Sequence, residues 1–141
     1  MINLANWYYD TFQFNPTLYA VYGLFAYDSN PGKPDQIIEI SRFDGYGWCC
    51  FKQNWNQLFK KYWFIDSLGK KYFKKKGWDW AIQGAFKEFE LKALKPRLSR
   101  TNNIGREGGT FSTPLSHDKT FANLQYNKDK IIKNFRFQKE F

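Results

Sequence analysis

The stretch Asn54-WNQLFKKYWFIDSLGKKYFKKKGWDWAIQGAFKEFELKALK-Pro96 decides the reading of this chain. In its first part Trp55, Leu58, Phe59, Tyr62 and Ile65 stand at i, i+3, i+4, i+7 and i+10. One apolar stripe at helical period predicts a helix over 54–68. Asn54 suits its N-cap, and Gly69 suits a left-handed residue just past its end. In the last part Trp78, Ile82, Ala85, Phe86, Phe89 and Ala93 repeat the pattern and predict a second helix over 78–95. Asp79 at its start and Lys92 and Lys95 at its end complement the helix dipole, and Pro96 stops it. Between the two lies a basic connector, Lys70 to Lys76.

Toward the N-terminus the chain reads as β. Thr17 to Tyr27 is uncharged and rich in Tyr, Val, Leu and Phe, and Asp28 to Asp35 is dense turn chemistry. Gln36 to Phe43 resumes with Ile37, Ile38 and Ile40, Asp44-Gly45 turns again, and Tyr46 to Phe51 makes a third short strand. This pattern predicts an antiparallel meander over 12–51. Asn6 to Phe14 alternates weakly and suits an edge strand or a docking arm. The expected fold class is therefore α+β: a small antiparallel meander packed by two amphipathic helices, one domain over 1–95.

Toward the C-terminus, residues 96–141 are rich in Ser, Thr, Asn and Gly and carry no strong apolar period. Asp129 to Phe137 suits one short helix. Ordering such a segment alone costs about 1–2 kcal/mol per residue in backbone entropy, so it is expected to be an extended basic arm ordered on a partner.

The composition is ordinary in charge and unusual in rings. Of 141 residues 43% are hydrophobic, 25% charged and 21% aromatic, with Phe 15, Tyr 9 and Trp 6. This excludes a collagen, a coiled-coil rod and a disulfide-dense mini-protein. The net charge of +9 is divided unevenly. Residues 1–50 hold two basic and five acidic side chains, 51–100 hold thirteen and four, and 101–141 hold seven and four. All of the positive excess lies beyond residue 50, which predicts one basic, partner-facing side. Lys outnumbers Arg 17 to 5, and Asn occurs 11 times, usage that suits an AT-rich coding genome of an organelle, a phage or a low-GC bacterium.

The longest uncharged apolar stretch, Leu18 to Tyr27, is about half of the roughly 20 residues that a helix needs to cross a bilayer. The N-terminus carries no basic region followed by an apolar run. The expected location is the cytoplasm or an organelle matrix, mitochondria included, with no transmembrane segment and no secretion.

The strongest chemical feature is basic. Lys60, Lys61, Lys70, Lys71, Lys74, Lys75 and Lys76 place seven positive charges within seventeen residues, opposed only by Asp66. Tyr62, Trp63, Tyr72, Phe73, Trp78 and Trp80 are interleaved with them. Lysines contact phosphates, and aromatic faces stack on unpaired bases for roughly 1–3 kcal/mol each. Arg97, Arg100, Arg106, Lys130, Lys133 and Arg136 continue the basic character into the arm. The expected nucleic-acid-binding set is these lysines with Tyr72 and the six arm cations.

Catalytic signals are weak. Adjacent cysteines rarely bridge each other, so Cys49 and Cys50 imply reduced thiols. On a strand Cys50 shares the parity of Trp48 and is expected to face inward, with Cys49 outward. His117 is the only histidine, and its spacing to the cysteines supports no nucleophile–base pair. Two Cys and one His cannot close a four-ligand zinc shell without a carboxylate. Gly105 to Gly109 follows no strand and cradles no phosphate by the usual pattern. No catalytic residue, metal site or cofactor is therefore expected.

The leading expectation is a non-catalytic, RNA-contacting component of a large assembly, a ribosomal or ribosome-associated protein whose partners are RNA and other protein subunits. The alternative is a peripheral structural subunit of a respiratory or photosynthetic membrane complex, with lysines on anionic headgroups and membrane contact only at the periphery. A third class is a phage or mobile-element nucleic-acid-binding protein.

Overall fold

The computed structural model describes residues 2–12, 18–22, 32–45, 47–99, 105–107, 113–121, 132 and 135–138. The chain is α+β, with helices α1 (Ile2–Phe12), α2 (Lys52–Asn54), α3 (Lys60–Tyr62), α4 (Ser67–Phe73), α5 (Trp78–Glu88) and α6 (Pro114–Phe121). Its strands are β1 (Leu18–Tyr22), β2 (Gln36–Ile40), β3 (Trp48–Cys49), β4 (Lys92–Pro96) and β5 (Arg136–Gln138).

The strands form one mixed sheet in the order β3-β1-β4-β2-β5. β1 pairs antiparallel with β3 and parallel with β4. β2 pairs antiparallel with β4 and parallel with β5. The expected meander is thus corrected: β1 and β2 are not neighbours, because β4 lies between them. The second helix is corrected as well. It ends at Glu88, and Glu90 turns the chain in the left-handed region at φ 51. Residues 92–96 then run as the central strand. Ala93 fitted the helical period of Ile82, Ala85 and Phe86, yet a buried apolar residue satisfies a strand equally well.

Helices cover both faces of this sheet. On one face Phe43, Leu58, Phe59, Ile82, Phe86, Leu91 and Ala93 form a core with Trp48, Cys50, Trp55, Tyr62 and Trp63 packed against it. On the other, Leu4, Tyr8, Ile37 and Leu94 form a second core with Trp7, Cys49, Phe51, Phe135 and Phe137 around it. Ala93 and Leu94, adjacent on β4, therefore serve opposite cores, as strand alternation requires. The same double cover explains the cysteines. Cys49 and Cys50 do point to opposite faces, but both are half-buried, so neither is the outward thiol expected of a one-sided sheet.

The N-terminal segment is a helix and not an edge strand. Leu4 and Tyr8, one turn apart, are buried on the second core, and Tyr8 stacks on Phe51 at 5.2 Å. The helix expected over 54–68 is also divided. Residues Trp55–Phe59 form a π-helical turn between α2 and α3. One extra residue in a turn shifts the following positions by about 100°. Leu58 and Phe59 stay buried, the helix ends at Tyr62, and Ile65 falls on the surface. The basic connector is itself largely helical, since α4 carries Lys70 and Lys71.

Gly69 is an interior residue of α4, not the end of a preceding helix. It faces α5: a Cβ there would stand 3.0 Å from the Trp80 carbonyl carbon. A Cβ on Gly84 of α5 would stand 2.6 Å from the Leu68 carbonyl oxygen. The two glycines let the backbones of α4 and α5 touch. In the C-terminal segment, residues 136–138 are strand β5 and so do not continue the short helix expected over 129–137; the rest of that reading, apart from Ile132 and Phe135, lies outside the described residues.

Candidate nucleic-acid interface

The lysines of the basic set are carried by three consecutive pieces of backbone. Lys60 and Lys61 lie on α3, and Lys70 and Lys71 on α4. Lys74 ends α4 in the left-handed region at φ 59 and ψ 27, with its N–H donated to the Lys70 carbonyl at 3.2 Å. Lys75 and Lys76 follow in the link to α5. Gly77, at φ 113, then turns the chain into α5, and its N–H donates to Asp66 Oδ1 at 3.0 Å. Positive φ at this width is glycine territory. Asp66, the one acid of the run, is thus spent on holding the link.

All seven lysines are exposed, and three have intramolecular roles. Lys71 Nζ donates to Glu88 Oε2 at 2.6 Å, and the Tyr72 hydroxyl donates to the same oxygen. The Lys71 ammonium and then the Tyr72 hydroxyl hold the Glu88 carboxyl below its ordinary range. Lys75 Nζ stands 4.1 Å above the Trp80 ring, a cation–π contact, and Lys61 Nζ stands 5.3 Å from the Tyr62 ring. The ammonium groups of Lys60, Lys70, Lys74 and Lys76 have no hydrogen-bond or ionic partner among the described residues.

The arm cations are placed differently. Arg106 donates from Nε and a terminal nitrogen to both oxygens of Asp118, at 2.9 and 3.0 Å, and contacts Glu107 at 3.2 Å. Arg136 makes the same two-pronged bond to Asp35, at 2.5 and 3.0 Å, beside the β2–β5 pairing. The half-buried Arg97 follows β4, and its N–H donates to the Gln36 carbonyl at 2.9 Å. Arg100, Lys130 and Lys133 lie outside the described residues. The 60–76 lysines are thus neighbours in sequence, exposed on α3, α4 and the link to α5, whereas Arg106 and Arg136 are engaged in ion pairs with acids of this chain.

Most of the interleaved aromatics are half-buried. Trp63 stacks on Trp78 at 4.6 Å, and Trp48 and Trp55 flank Trp63 at 6.0 and 5.1 Å. Phe73 packs on Trp80 at 5.3 Å. The most exposed large apolar side chain among the described residues is Phe64, at 89%. It stands in the turn after α3, four residues from Lys60. The helical stripe passed over it, and its only signal in the sequence is that it falls off the stripe.

A cleft of about 740 Å³ opens beside this group, between the Arg42–Gly45 turn and the start of α5. Lys75, Lys76, Trp78, Asp79, Trp80 and Gln83 line one side, and Arg42, Phe43, Asp44 and Gly45 the other. The Phe43 N–H donates to Gln83 Oε1 and ties the two sides together. Asp79 Oδ1 accepts the Trp80 N–H at 2.9 Å. Asp44 lies 3.4 Å from Arg42, and burial pushes its carboxyl above the usual range against the pull of Arg42 and Lys95.

The other candidates hold no chemistry together. Burial, and next the neighbouring Cys49, pushes the Cys50 thiol up to about 11. His117 is buried on α6 against Phe121 at 4.9 Å. No three of His, Cys, Asp and Glu stand together as metal ligands among the described residues, and none of the described helices is long and apolar enough to cross a membrane. No family model and no curated protein matches the sequence.

Proposed function

We propose that this chain is a non-catalytic, RNA-contacting component of a large assembly, of the ribosomal or ribosome-associated kind. The observation that supports it is the lysine group of α3, α4 and the link to α5. Four of its seven ammonium groups have no partner within the described residues, and an ammonium left in solvent is available to a phosphate. Polyanion binding of this kind is dominated by counterion release and weakens steeply with salt. The half-buried aromatics favour unpaired RNA over duplex, because their rims and faces offer stacking and not groove readout.

The test is filter binding of single-stranded RNA across a salt series. Each phosphate-contacting lysine should add about 0.7 to the slope of log K against log salt. Neutralising Lys60, Lys70 and Lys74 together to Gln should lower that slope by about 2 and leave the circular dichroism unchanged. A folded triple variant that binds RNA as tightly as the natural chain removes the proposal.

Phe64 favours a second reading, the peripheral subunit of a membrane complex. An exposed ring and a half-exposed Ile65 beside Lys60 and Lys61 fit an anionic lipid surface. Co-sedimentation with phosphatidylserine vesicles that is lost in Phe64→Asp, with RNA binding absent, would select it.

A further inference from the structure

The cleft beside the lysine group has walls of three chemistries that a single ligand can use at once. Clefts of roughly 300–1,000 Å³ take small organic ligands, and this one lies within that range at about 740 Å³. Lys75 and Lys76 supply positive charge to its lining, and the Lys76 ammonium has no partner among the described residues. Trp78 supplies a ring that is 37% exposed and fixed by Trp63, which stacks on it at 4.6 Å. Asp79 supplies a carboxylate with one oxygen on the Trp80 N–H and the other without a hydrogen bond among the described residues.

A simple phosphate site would not carry Asp44 and Asp79 among its cations, since both repel an anion. A simple apolar pocket would not carry two lysines. A nucleotide satisfies all three: its phosphate meets the lysines, its base stacks on an indole, and the exocyclic amino group that adenine carries donates to a carboxylate. Gly45 completes the fit. A Cβ there would stand 3.3 Å from Trp78 Cη2, so a side chain at 45 would press on the rim of the indole.

We infer that this cleft holds one unpaired nucleotide, with its base against Trp78 and its phosphate on Lys75 and Lys76. The inference rests on the RNA reading above, because the bound strand supplies the nucleotide. Lys60, Lys70 and Lys74 hold the strand by charge alone, and the cleft holds one residue of it by shape.

The experiment is an NMR titration of the six tryptophan indole N–H signals with AMP and, separately, with ribose 5-phosphate. AMP should shift the indole signals with a Kd of about 1 mM, and ribose 5-phosphate should bind at least about tenfold more weakly, for lack of a base. Gly45→Leu keeps every charge and fills the space beside Trp78; it should weaken AMP at least about tenfold. Lys76→Glu lies on the surface, leaves packing alone and should do the same. Lys60→Gln with Lys70→Gln should leave AMP within about twofold while lowering RNA affinity.

AMP that moves no indole signal overturns the inference, as does AMP binding that survives both Gly45→Leu and Lys76→Glu, or equal binding of ribose 5-phosphate. RNA binding with the expected salt slope alongside silent indoles leaves the RNA reading standing and removes the cleft. AMP binding without RNA binding removes the RNA reading, and with it the strand as the source of the nucleotide.

Discussion

Cys50 carries its own test of the double-sided cover. Its thiol is pushed from 9.0 up to about 11 by burial and by Cys49 beside it. At pH 8 only about one such thiol in a thousand is thiolate, the nucleophilic form. Reaction with Ellman's reagent should therefore be slow in the folded protein at pH 8, accelerate toward pH 11, and reach the ordinary rate in guanidinium. A folded-state raise of this sign contributes stability below the unfolded value of about 9 that is lost as pH climbs toward 11. Asp35 works in the opposite direction. The Arg136 bond holds its carboxyl below the usual range, so its contribution is full above about pH 4 and lost as pH falls through the lowered value. Thermal midpoints of the natural chain should drop as the pH falls below about 4, and Asp35→Asn should show a smaller drop from a lower starting point.

At the scale of elements, the contact of α4 with α5 sets where the lysines stand. Both helices approach on glycine, and Gly84 meets the backbone of Leu68, not the end of a flexible side chain. A methyl at that place has to push one helix away. Gly84→Ala should cost about 1–3 kcal/mol in urea denaturation, although alanine is the better helix former. An unchanged midpoint would show that the helices do not touch there. The lysines themselves were legible in the sequence, since they cluster within seventeen residues and solvent places them outward in any fold. The cleft was not legible. Its two walls, 42–45 and 75–83, are thirty residues apart, and the packing of α5 on the Phe43 core and the Phe43–Gln83 hydrogen bond join them.

For the whole molecule, the question is what the C-terminal segment does for the sheet. β5 gives β2 a parallel neighbour, and Phe135 and Phe137 lie on the Leu4, Tyr8, Ile37 and Leu94 core. Ending the chain after Pro96 strips that cover and exposes the edge of β2. The shortened chain should melt at a lower temperature than the whole one and bind more hydrophobic dye. Equal midpoints would show that residues 97–141 add nothing to the core. By itself the amino-acid sequence determined the α+β class, the α5 stripe, the location of the positive charge and the buried character of Phe59, Ile82 and Phe86, because period and charge are local properties. Tertiary structure alone decided that Lys92–Pro96 is the central strand, that α1 is a helix, and that Arg106 and Arg136 meet Asp118 and Asp35. Short apolar runs satisfy helix and strand equally, and an ion pair across 12 or 101 residues leaves no mark on either partner's neighbours. Those choices are made by which surfaces are left to cover when the sheet closes.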